Sequence, residues 1–259
     1  MKEDLKDVTF LLLIRLDSIQ RLENLIATTD LICKYFDTNI IVREAANFNN
    51  HIVEKLLKKS IMYEFVEDKD PVLHKTKHFN DMTKKVTTPF IAIWDADVIM
   101  EKESMKDIIC RLRKNECDVA SPYNGICMNI PEIIRTLFLK KREIRCLYRN
   151  IHKMEKLHVN EILVGGAIVM RLDKFIAAGM ENELHYGWGN DDFDRYYRFR
   201  VLGYNIYRVN TPLFHLVHPR GINSQYHSFL GAKISSHEVH KLKNSSEDDV
   251  MNRIKSLKL

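Results

Sequence analysis

Residues 8–14 form an unbroken apolar run, and a second such run stands at residues 90–94. Apolar stretches without polar alternation suit parallel strands buried on both faces. Between them the periodicity changes. Asp17 or Ser18 is placed to cap a helix from about residue 19 to 35, and residues 50–59 and 75–86 carry two further helical patterns. Residues 39–42 and 61–66 read as the strands that separate these helices. Strands and helices alternating at this spacing predict an α/β fold. The expected form is a Rossmann-like, mostly parallel sheet flanked by helices, with a ligand crevice at the carboxyl ends of its strands.

The second half changes character. Residues 131–157 give a basic, amphipathic helical pattern bearing Lys140, Lys141, Arg142, Arg145, Arg149, Lys153 and Lys156. A strand is expected at 162–170, a helix near 173–178, a loop over 179–189 and a helix at about 192–202. Two strands follow near 205–209 and 213–217, and residues 235–259 form a polar, charged tail with weak helical pattern. No internal repeat or low-complexity linker divides the chain. One domain over 1–259 is expected, with a nucleotide-facing half at about 5–98 and an acceptor-facing half at about 99–234. The latter would carry a helical insert at 128–160.

Composition narrows the partners. With 45% hydrophobic residues the chain can bury a sizeable core. A net charge of +5 without a concentrated basic stripe argues against nucleic acid. The five cysteines form no CxxC pair, as in a protein kept reduced. No signal-peptide core is present, and no apolar run approaches the ~20 residues of a membrane-spanning helix. A cytoplasmic chain is expected, at most peripheral to the inner face of a membrane through residues 131–157.

Several constellations carry chemistry. Asp95-Ala96-Asp97 follows a buried apolar strand, where two carboxylates are unfavourable unless something neutralises them. Hard oxygen ligands at that spacing suit Mn²⁺ or Mg²⁺, although a DxD is also common as a turn. Tyr186-Gly187-Trp188-Gly189-Asn190-Asp191-Asp192-Phe193-Asp194 places a flat indole between two glycines and acids at a helix N-terminus. Capping explains one acid there, but not three within four residues. His215 and His218 at a strand end could bring imidazole to a metal, or be structural; the pair lacks a third nearby ligand for a zinc site of its own. Gly165-Gly166 reads as a tight turn or a close approach to a ligand. Arg15, Asp17 and Arg21, just past the first strand, read either as phosphate and ribose or uracil contacts, or as a capped helix with exposed arginines.

Taken in order, these residues resemble the β-1,4-galactosyltransferase-like families, with the related N-acetylgalactosaminyl and chondroitin-type transferases. The resemblance runs from about residue 8 to 220 and is sharpest over 162–218. There Gly165-Gly166, Phe175, Gly179, Glu183, the Gly-Trp-Gly-Asn-Asp-Asp loop, Arg198, Gly203 and His218 recur in family order. It implies a GT-A fold and an inverting glycosyltransferase that uses a UDP-sugar, galactose or N-acetylgalactosamine first, with Mn²⁺ or Mg²⁺. By position, Asp97 and His218 resemble metal ligands, with Asp95 near the metal or ribose and His215 where the family can place a methionine. Asp192 matches the catalytic base, and Asp191 the neighbouring acid that contacts a sugar. Arg15 and Lys75 fall where nucleotide-contacting groups stand, joined by Asp17, Arg21, Gly166 and Trp188. Asn190 replaces a frequent glycine and Asp191 a frequent glutamate, while 128–160 has no family counterpart. The implied acceptor is a glycan or lipid-linked glycan, in polysaccharide biosynthesis. A metal-dependent nucleotidyltransferase and a non-catalytic nucleotide-sugar-binding module are the competing readings.

Overall fold

The computed structural model describes residues 2–157 and 163–257. In chain order its elements are β1 (Glu3–Ile14), α1 (Ile19–Tyr35), β2 (Phe36–Ala46), α2 (Ile52–Leu56), β3 (Met62–Glu67), α3 (Lys75–Thr83), β4 (Phe90–Trp94), β5 (Val98–Ile99) and α4 (Lys102–Arg113). They continue with β6 (Val119–Ser121), β7 (Cys127–Ile130), α5 (Glu132–Lys141), α6 (Ile144–Arg149), β8 (Glu155–Lys156), β9 (Ala167–Arg171) and α7 (Leu172–Ala177). The last are α8 (Asp191–Val201), β10 (Ile206–Arg208), β11 (Leu213–Leu216), α9 (Phe229–Lys243) and α10 (Glu247–Leu257).

Seven strands form the main sheet in the order β10-β6-β9-β4-β1-β2-β3. Every pairing in it is parallel except those of β9, which runs antiparallel to both β4 and β6. The sheet is thus the mostly parallel one expected from the apolar runs. Alternation along β1 explains its two covers. Phe10, Leu12 and Ile14 share a core with Leu22, Leu25 and Ile32 of α1. Leu11 faces the other way, into a core with Phe79, Ile91, Ile93 and Phe199. Burying both faces of one strand is what an uninterrupted apolar sequence allows. Ser18, rather than Asp17, caps α1 by accepting a hydrogen bond from the Arg21 N–H.

A second sheet, β5-β11-β7-β8, stands beside the first. The reversed strand and this small sheet position the site. Because β9 is antiparallel, its N-terminal end, carrying Gly165-Gly166, lies against the carboxyl end of β4, with Ala167 opposite Trp94. Because β11 pairs with β5 just past the DxD, His215 sits opposite Val98 and the Leu216 N–H donates to the Asp97 carbonyl at 2.8 Å.

Two expectations need correction. Residues 131–157 are not one amphipathic helix. Arg142 takes a left-handed conformation (φ 51°) that ends α5, α6 follows, and β8 pairs with β7. Ile134 and Phe138 of α5 pack inward on Phe214 and Leu216, so the basic residues are spread over several elements. The tail is also more ordered than its weak pattern suggests: α9 and α10 are both helices, and Leu242, Val250 and Ile254 enter the core against Phe199. The strand expected at 162–170 is found at Ala167–Arg171; its first residue, Ile162, lies outside the described residues, as do 158–160 of the insert and 258–259 of the tail.

Candidate active site

The cleft lies at the carboxyl edge of the main sheet and has a volume of about 320 Å³. Strand ends β1 and β4, the turn before β9, the loop before α8 and the end of β11 all reach it. One of its ends is built on Asp97. The Nε2 of His218 lies 3.1 Å and that of His215 3.9 Å from the Asp97 Oδ2. All three side chains are buried, and their ligand atoms lie within 4.8 Å of one another. Each imidazole is oriented through its other nitrogen. The His218 Nδ1 bonds the Pro219 carbonyl and the His215 Nδ1 bonds the Asn129 Oδ1, both at 2.8 Å. These acceptors fix a proton on Nδ1 and aim each Nε2 at Asp97, the orientation found in metal-ligating histidines.

The charge state fits a divalent cation. Burial acts to raise the Asp97 carboxyl, but His215 and His218 outweigh it and hold it down to about 2. Burial lowers His215, favouring the neutral ring that ligates. One carboxylate and two imidazoles, buried and open to a cleft, make a donor set suited to Mn²⁺. Asp95 stands apart from this trio, on the Lys75 side. Burial pushes its carboxyl up to about 6 despite Lys75, with the charges of Asp97, Asp192 and Asp191 adding to the rise. Its N–H donates to the Gly166 carbonyl at 2.8 Å, and Gly166 itself holds a φ of +83° that favours glycine.

The other end gathers carboxylates around a lysine. Lys75 Nζ lies 3.2 Å from Asp191, 3.8 Å from Asp95 and 3.9 Å from Asp192. Burial acts to lower the pKa of this ammonium, and the three carboxylates outweigh it, so it stays charged. Asp191 and Asp192 open α8, where the helix dipole favours negative charge. Arg195, one turn on and wholly buried, donates to both Glu181 and Asp192. Burial would raise Asp192, but Lys75 and Arg195 prevail and keep it ionised. Its other oxygen faces Gly165, where a Cβ would come within 2.0 Å of Asp192 Oδ2. Gly165 is therefore a glycine because the carboxylate occupies the space of a side chain.

The remaining expected residues divide. Trp188 lines the cleft, 39% exposed, with its ring edge-on to Tyr226 at 5.3 Å. Arg21 lines it as well, donating to the Ser224 hydroxyl at 2.8 Å. Asp17 does not line the cleft; it pairs with Arg21 Nε at 3.0 Å, so its role is to hold that arginine. Arg15 borders the cleft, but its guanidinium is engaged by the Ala45 and Asp70 carbonyls and by Asp68. It ties the loop after β3 to the ends of β1 and β2. The third acid of the tryptophan loop, Asp194, turns away from the cleft and bonds Asn182 at 2.8 Å and His185 at 2.9 Å. Sequence reasoning missed Arg195, Tyr123 and Asn129. The spacing of Arg195 three residues after Asp192 was the one available signal; Tyr123, whose hydroxyl donates to the Gly165 carbonyl at 2.5 Å, offered none.

Residues 145–228 match the family model described as the N-terminal domain of galactosyltransferase, a span that holds the glycine pair, the tryptophan loop and both histidines. Over that span the chain is similar to galactosyltransferases. It is also similar to the crystal structure of GalNAc-T7 with UDP, GalNAc and Mn²⁺, with a TM-score of 0.62 at 12% identity. The likeness covers 90% of this chain and 47% of that one, so the chain spans about half the length of GalNAc-T7. At that identity the likeness establishes the fold, which is GT-A. No curated protein matches the sequence.

Proposed function

We propose that this galactosyltransferase-like chain is an inverting, Mn²⁺-dependent glycosyltransferase. It would move a hexose or N-acetylhexosamine, galactose or GalNAc first, from a UDP-sugar to a glycan or lipid-linked glycan. The observation that carries this reading is that the Asp97–His215–His218 trio and the Asp191–Asp192 pair line one cleft, with Trp188 at its border. GalNAc-T7, which shares the fold, was crystallised with UDP, GalNAc and Mn²⁺.

Asp97, His215 and His218 would hold the cation, with Mg²⁺ as the alternative. When bound, it would supply positive charge to a diphosphate whose bond to the sugar is breaking. Arg21 and Arg220, which border the same end, add positive charge there. Asp95 is placed to accept hydrogen bonds from ribose hydroxyls, with Lys75 holding it. The Gly165-Gly166 turn lets backbone approach the donor sugar closely, and Trp188 offers a flat apolar face to the acceptor ring. Asp192, ionised and beside this turn, would take the proton of the attacking acceptor hydroxyl. The oxygen–anomeric carbon bond then forms on the face opposite the departing UDP, inverting the linkage to β.

No helix among the described residues is long and apolar enough to cross a membrane. Contact with a membrane surface through 131–157 would use the outward side of α5, where Ile133 is 86% exposed beside Lys140 and Lys141. Liposome co-sedimentation with anionic lipid at low salt checks it; no binding removes it. The transferase reading is tested by UDP release across common UDP-sugars, with and without Mn²⁺ and simple sugar acceptors. Acceptor-stimulated, Mn²⁺-dependent release supports it. Pyrophosphate release from a nucleoside triphosphate would point to a nucleotidyltransferase, and binding without turnover to a non-catalytic module.

A further inference from the structure

Beside the cleft lies a second depression of about 740 Å³, bordered by α8 and α9. Its walls are two matched helical stripes. Phe193, Tyr196, Tyr197 and Arg200 come from α8, and Ser236, Val239, His240 and Lys243 from α9, each set at i, i+3, i+4, i+7. The two helices pack against each other, and the depression lies along the side where these stripes meet. It adjoins the cleft, because Val164, Asn190 and Phe193 border both.

The groove differs from the cleft in charge. Among the described residues its lining contains no carboxylate, whereas Arg200 and Lys243 both stand in it. Each rests against an aromatic ring. The Lys243 ammonium lies 4.5 Å from the centre of Tyr197, and the Arg200 guanidinium 5.9 Å from that of Tyr196. Arg208, 5.7 Å from the same Tyr196 ring, adds a third positive charge nearby. Cations resting on ring faces keep their donors available to an incoming anion. From Phe193 to Arg200 the stripe runs about 10 Å at the rise of an α-helix. Half-buried tyrosine rings along a groove, with fixed cations at its far end, suit a chain of sugar rings that carries an anionic group.

We propose that this groove receives the acceptor and selects an acidic saccharide, its rings lying along Tyr196 and Tyr197 and its anion meeting Arg200 and Lys243. The inference rests on the transferase reading for the identity of the bound molecule as acceptor. Its chemistry, a saccharide bearing negative charge, is set by the groove itself. A uronic acid carboxylate and a sugar phosphate are the two sources of that charge.

Calorimetric titration of the full chain, without nucleotide or metal, tests the groove alone. The probes are trigalacturonate, its neutral methyl ester and a monophosphorylated maltotriose. At least one acidic probe should bind about tenfold more tightly than the neutral ester, and the tighter of the two identifies the charge. R200Q/K243Q, altered at two exposed positions, should lose that preference while Mn²⁺-dependent UDP binding is unchanged. Equal binding of neutral and acidic probes overturns the proposal, as does a preference that survives the double substitution. If wild-type protein binds the acidic probe but no UDP-sugar, the groove stands and the transferase reading falls.

Discussion

Four aspartates line one cleft, yet its two ends balance their charge in opposite ways. Among the described residues Asp97 forms close charge contacts with two imidazoles alone, neither of them a permanent cation. Asp191 and Asp192 face Lys75, and Asp192 also faces the fully buried Arg195, which are cations at any physiological pH. Two imidazoles and a carboxylate converge as three ligand atoms that a divalent cation can share. A lysine and an arginine instead supply permanent positive charge and keep the carboxylate fixed and ionised. The same residue type is thus suited to metal binding at one end and to proton transfer at the other, and the difference lies wholly in its neighbours.

The largest effect that could break this comparison comes from Asp97→Ala. It should abolish Mn²⁺-dependent UDP binding in calorimetry while the circular dichroism spectrum is retained; unchanged UDP affinity in Mn²⁺ would remove the metal site. Asp192→Asn keeps size and hydrogen bonding but loses the proton acceptor. It should lower the rate of sugar transfer by ~10²–10⁴-fold and leave donor binding intact. Transfer at the wild-type rate would reassign the base, with Asp191 the next to examine.

Gly165→Ala probes the same end without touching a charge. A Cβ 2.0 Å from Asp192 Oδ2 must displace that carboxylate, so transfer should fall by about 10²-fold with UDP affinity preserved. Activity close to wild type would show that the position of Asp192 is not critical. The smallest effect concerns Cys127, which borders the cleft. Burial, with Asp97 and Asp95 adding to it, pushes its thiol up to about 12. Deprotonation is therefore negligible at pH 8, and peptide mapping after iodoacetamide should find exposed Cys110 labelled well before Cys127. Equal labelling would mean that the cleft is more open, or less negative, than described.

Where periodicity was strong the fold was legible. The runs at β1 and β4 needed no context, because a strand buried on both faces must be apolar throughout. Small elements escaped. The segment after Asp97 yields β5, β6 and β7, two-to-four-residue strands with too few positions to show a period; α4, twelve residues long with Met105, Ile108, Ile109 and Leu112 at helical spacing, was legible and went unread. The reversal of β9 was invisible as well, since an apolar strand reads the same in either direction. At the site, the tryptophan loop stood out by its residue types, whereas Asp97, His215 and His218 were joined as candidate ligands only by the family resemblance, since a DxD or a histidine pair alone is commonplace. Arg15 and Asp17 were over-read. An arginine beside a strand end looks the same in sequence whether it meets a phosphate or, as here, two carbonyls and an aspartate.

The placement of β11 against β5 has a consequence for how the molecule is made. Asp97 meets its two histidines only after more than a hundred further residues have been added and folded, a long loop to close. A chain still lacking β11 can hold every strand around the DxD and yet have no trio. Binding by the trio is therefore confined to the finished molecule, and a cation taken up there would draw the folding equilibrium toward that state. Chelation should then lower the melting temperature of wild-type protein equilibrated with Mn²⁺ and leave that of Asp97→Ala where it was. The cleft would serve as a closing latch on the fold as well as a place of reaction.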